Sequence, residues 1–117
     1  MTHPYCGHLG FAGISGVLYS EGKYEQALDY ANRSFAQRPN AVNVARQAGC
    51  LVRLGRHADA IIPLEILVRN RIDEANNLPR LGRCYLEVGR TNDARTLVAQ
   101  HPELGFYPEF GPLRSPR

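Results

Sequence analysis

The chain has 117 residues, 44% of them hydrophobic and 21% charged, which suits one small packed domain and is too apolar for a disordered tail. Fourteen basic residues stand against 11 acidic ones, a formal charge of +3, and every basic residue except Lys23 is arginine. The two signs are interspersed along the chain, so the balance gives a weak bias toward anionic partners and excludes the clustered footprint of a nucleic-acid binder.

At the N-terminus His3, Cys6 and His8 form His-x2-Cys-x-His, ligand types able to hold a metal. No fourth ligand is near in sequence, since His57 and His101 fall far along the chain. No metal or other cofactor is therefore expected. The segment from Leu9 to Tyr19 is the most apolar of this region, but Gly10, Gly13 and Gly16 interrupt it and no Lys or Arg precedes it. It reads as a helix either frayed before Gly10 or held mainly by packing, not as a secretory signal. No apolar run reaches the ~18 residues of a membrane span. The three cysteines, Cys6, Cys50 and Cys84, are odd in number and widely spaced, as expected of reduced thiols in a cytoplasmic protein. Cys50 and Cys84 occupy equivalent helix sites as small buried residues, with a disulfide between them as the alternative under oxidising conditions.

The helical elements repeat one plan. Phe11, Ile14, Ser15 and Leu18 open a first unit, followed by Gly22 and a stripe of Tyr24, Ala27, Leu28, Ala31 and Phe35, which Pro39 ends. Val44, Ala48 and Leu51 open a second, followed by Gly55 and Ala60, with Pro63 expected to kink its second helix or begin a shorter one. Leu78, Leu81, Gly82 and Tyr85 open a third at i, i+3, i+4 and i+7, followed by Gly89 and Ala94. Pro79 is tolerable there if Asn77 caps the helix. The glycines at 22, 55 and 89 suit left-handed C-caps, and Ser15, Ala48 and Gly82 suit close helix crossings. Both the glycines and the alanines at 27, 60 and 94 step by 33 and then 34 residues. The expected fold is all-α, with about six helices in three helix–turn–helix units spanning about 8–40, 41–73 and 74–101.

At these residues, from about Leu9 to His101, the chain resembles the tetratricopeptide repeat family, whose period is ~34 residues. The pattern Leu78-x2-Leu81-Gly82-x2-Tyr85-x3-Gly89-x4-Ala94 is the most specific part, and Tyr24-x2-Ala27 with Pro39 is a good second. The middle unit departs at Gln47, a site usually apolar in the family. The resemblance implies a right-handed superhelix with a concave groove, and a non-catalytic module that binds protein or peptide. It places Tyr19, Arg46, Val52, Arg53, Asn76, Arg80, Arg83 and Leu86 on the concave face. Arginine binds carboxylates through two hydrogen bonds at once and stacks on aromatics. The expected ligand is thus an acidic or C-terminal peptide with an apolar anchor near Tyr19, Val52 and Leu86. The carboxylate clamp of chaperone-binding members is not expected: its positions here hold Ala12, Gly16, Arg46, Asn76 and Arg80, and only Arg80 matches.

No nucleophile has a base and an orienting acid in support, and no Gly-rich phosphate loop follows a strand, so no enzyme activity is expected. Alternatives to the groove are a small chaperone of the type III secretion kind, self-assembly as a homodimer through uncapped ends, and, less favoured, nucleic-acid binding. Pro102, Pro108, Pro112 and Pro116 exclude a long capping helix in the tail 102–117. Its aromatics Phe106, Tyr107 and Phe110 are expected to fold back over Leu97 and Val98, with docking in a groove or a disordered tail as alternatives. Excision from a longer array would equally account for the missing cap.

Overall fold

A computed structural model describes residues 10–113, among which every regular element is helical. Six α-helices follow in order: α1 (Phe11–Ser20), α2 (Tyr24–Gln37), α3 (Ala41–Arg53), α4 (His57–Arg69), α5 (Glu74–Glu87) and α6 (Thr91–Gln100). Two 3-10 segments, Pro102–Phe106 and Pro108–Leu113, are the last of the described elements. The protein divides into two compact units between Arg56 and His57, inside the second of the three expected repeats. The trio His3, Cys6 and His8 lies outside the described residues.

In the first unit α2 packs on both α1 and α3. Ala27 and Ala31 are wholly buried, and the small Ser15 meets them with its hydroxyl donating to the Ala27 carbonyl at 2.7 Å. Ala48, Cys50, Val44 and Leu51 of α3 close the core. Gln47, the departure from the family pattern, donates from its side-chain amide to Asn32 Oδ1 on α2 at 2.9 Å. In the second unit α5 packs between α4 and α6 around Leu64, Leu67, Leu78, Leu81 and Ala94.

The turns follow one hydrogen-bond scheme. At Gly22, Gly55 and Gly89 the backbone is left-handed, with φ between 74° and 82°. Each glycine N–H reaches back three residues and the next N–H reaches back five, to Leu18, Leu51 and Tyr85 respectively. These are Schellman caps, in which a residue without Cβ avoids the left-handed penalty. The turn after α4 repeats the scheme at Arg71, where φ is 58°. Arg71 thus takes a conformation that L side chains disfavour by about 1–2 kcal/mol.

The turns into α3 and α5 are instead stapled by asparagines 34 residues apart. Asn43 donates from Nδ2 to the Arg38 carbonyl at 2.7 Å, and Asn77 to the Ile72 carbonyl at 2.8 Å. Both are buried, at 4% and 2% exposure. Asn43 also accepts from the Ser34 hydroxyl, and its backbone N–H meets the Asn40 cap.

Three expectations are corrected. Asn77 does not cap α5: the helix starts a turn earlier, at Glu74 after Asp73, so Pro79 is an interior residue, buried with Leu78 and Leu81. Of the two outcomes expected at Pro63, a shorter helix beginning there is ruled out, because α4 runs through it from His57 to Arg69. The tail does fold back, but not with all its aromatics. Both 3-10 segments touch α6, Phe110 is wholly buried, Tyr107 is half-buried, and Phe106 is 86% exposed.

Candidate peptide-binding site

Three of the expected residues converge within the first unit. Tyr19 ends α1, and α3 presents Arg46 and Arg53 to it. The Arg46 and Arg53 guanidinium carbons lie 5.9 and 6.0 Å from the Tyr19 ring centre, near the limit of cation–π attraction. Arg53 also donates from Nε to the Tyr19 hydroxyl at 3.1 Å. Tyr24, at the start of α2, meets the same ring edge-on at 5.2 Å.

Two glycines lie against this cluster: a Cβ on Gly49 would meet the Tyr19 ring at 3.6 Å and one on Gly16 the Arg46 guanidinium at 3.4 Å, both ordinary contact distances. Among the described residues neither Arg46 nor Arg53 has a carboxylate partner. A tyrosine with two unneutralised guanidiniums can accept a carboxylate while an apolar group rests on the ring edge. Val52, the neighbour of Arg53, is half-buried.

In the second unit the expected residues have other occupations. Asn76 donates from Nδ2 to both carboxylate oxygens of Asp73, at 3.0 and 3.1 Å, bracing the left-handed entry to α5. Arg83 is ion-paired through Nε to Glu109 of the tail and lies 5.3 Å above the Tyr107 ring. That guanidinium holds the Glu109 carboxyl below the usual carboxylate range. Arg80 and Leu86 are half-buried.

Sequence reasoning missed Tyr24, Gly16 and Gly49 as parts of the first cluster, and Tyr107 and Glu109 as partners of Arg83. The 33-residue spacing of Gly16 and Gly49 was the available signal.

Cys50 and Cys84 are buried free thiols. Burial pushes the Cys84 thiol up to about 11, with the Glu87 charge adding to it, and burial raises Cys50 as well. The Tyr85 hydroxyl donates to Glu65 at 2.5 Å, tying α5 to α4, and its acidity falls through burial and that bond. Among the described residues no group of three or more His, Cys, Asp or Glu is placed to hold a metal ion. No helix among them is long and apolar enough to cross a membrane.

Fold and surface define an all-α protein of consecutively packed helices that carries an arginine–tyrosine cluster. No family model matches the chain, and no curated protein or solved structure matches it.

Proposed function

We propose that the protein is a non-catalytic interaction module of the tetratricopeptide repeat type, which binds a protein segment bearing carboxylates. The observation that carries this reading is the pair Arg46 and Arg53 on Tyr19, two cations held against one aromatic ring with no carboxylate partner among the described residues. Structural arginines on a helical surface are commonly matched by acids at i±3 or i±4, as Arg33 is by Asp29 and Arg90 by Asp93. Among the described residues Arg46 and Arg53 lack such neutralisation. The repeat steps of 33 and 34 residues and the left-handed glycines at each step support the family reading. The ligand class is an acidic segment or a free C-terminus with an apolar residue for the Tyr19–Tyr24 edge.

The test is an array of acidic and C-terminal peptides probed with wild type and with the Arg46→Glu/Arg53→Glu variant. Both arginines are half-buried or exposed, so helical circular dichroism should be unchanged by the substitutions. The expected result is a set of salt-sensitive peptides whose affinity falls at least tenfold in the variant. An identical set bound by both proteins would overturn the assignment of this cluster.

A further inference from the structure

The C-terminal segment does more than cover apolar surface. Within four residues it presents three matched contacts to α5. The Phe110 ring fills the space above Gly82, where a Cβ would come within 2.7 Å of it. The Glu109 carboxylate accepts from Arg83 Nε. The Tyr107 ring lies under the same guanidinium and meets Phe110 edge-on at 6.0 Å. The segment's own backbone bonds are local, from Leu104 to His101, Tyr107 to Leu104 and Phe110 to Tyr107. Its hold on α5 through Tyr107, Glu109 and Phe110 is thus a side-chain hold, which any peptide with the same side chains can copy.

We propose that the α5 face around Gly82 and Arg83 is a second recognition site, for partner segments of the form aromatic–x–acid–aromatic, and that residues 107–110 occupy it as a built-in competitor. The docked tail defines the ligand: an aromatic ring for the glycine hollow, a carboxylate for Arg83, and a second ring beneath the guanidinium. The proposal uses no residue of the Tyr19 cluster. A tethered segment acts at an effective concentration on the order of millimolar. A partner therefore meets an affinity reduced by the fraction of molecules whose tail is undocked.

The experiment uses the full chain and a labelled peptide copying residues 103–113, read by fluorescence anisotropy. Phe110→Ala removes the ring that anchors the tail, and the peptide should then bind at least tenfold more tightly than to wild type. Adding Gly82→Ala to that variant closes the hollow and should abolish the gain. Gly82→Ala favours the α5 helix itself, so misfolding does not confuse the result. With Phe110→Ala/Arg83→Glu, the peptide should bind weakly, and a peptide with Arg at the position of Glu109 should regain affinity. Failure of the peptide to bind Phe110→Ala, or binding indifferent to Gly82→Ala, would overturn the proposal. A wild-type mass that doubles with concentration, and stays monomeric in Phe110→Ala, would assign the face to the tail of a second copy and overturn it as a site for foreign segments.

Discussion

Gly82→Ala should reverse its effect on stability according to what residue 110 is. In an exposed helix interior this substitution is favourable by about 1 kcal/mol. Here the new Cβ would lie 2.7 and 2.8 Å from two Phe110 ring carbons, against a normal carbon contact of roughly 3.5–4.0 Å. The ring must withdraw by about 1 Å, and it belongs to one 3-10 segment while α5 is fixed on both sides. The ring should therefore leave, forfeiting up to about 1.5–3 kcal/mol of burial. In wild type the net effect is a loss of about 0.5–2 kcal/mol. In the Phe110→Ala background the obstacle is gone, and the same substitution should stabilise by about 1 kcal/mol. Urea unfolding of the four proteins gives the cycle, and hydrogen exchange of the amides of 103–113 shows whether the tail is released. Equal destabilisation by Gly82→Ala in both backgrounds would refute the reasoning, because glycine would then be required for something other than the ring.

Arg71→Gly relieves the left-handed strain after α4 and should stabilise the protein by about 0.5–1 kcal/mol once the greater freedom of glycine in the unfolded chain is counted; a lower urea midpoint would contradict this. Asn43→Ala and Asn77→Ala each strand a turn carbonyl and should each cost about 1–3 kcal/mol in urea unfolding, whereas exposed Asn92→Ala should cost little. The folded-state pKa of the Cys84 thiol lies above its unfolded value, so its share of stability is complete below pH 9 and is lost as pH rises from 9 toward 11. That share is about 3 kcal/mol, and Cys84→Ala should flatten the fall in thermal midpoint measured between pH 9 and 10.

The all-α fold was legible because its signals are local. A stripe such as Leu78, Leu81, Gly82 and Tyr85 fixes one helix face, and all four residues are buried. The glycines at 22, 55 and 89 were legible for the same reason, since a left-handed cap needs a particular residue at one position. Arg71 was not, because its cap is imposed by the packing of α4 and α5 against the preference of the residue. Asn77 was misread for a related reason: a buried staple and an N-cap draw on the same side chain, and only the helix start distinguishes them. The site was half legible. Tyr19, Arg46 and Arg53, singled out through the family resemblance, meet in the first unit, while Arg83 is taken by Glu109, a pairing across 26 residues that no local pattern encodes.

Within each unit the helices pack mainly on their neighbours in sequence, α2 on α1 and α3, and α5 on α4 and α6. Such contacts close only short loops, so little chain entropy is lost before a contact forms. Proteins built this way refold in microseconds to milliseconds. The tail is the exception, since Phe110 must find Gly82 after α6 is in place. Its docking should be the last step of refolding and the first step undone in unfolding.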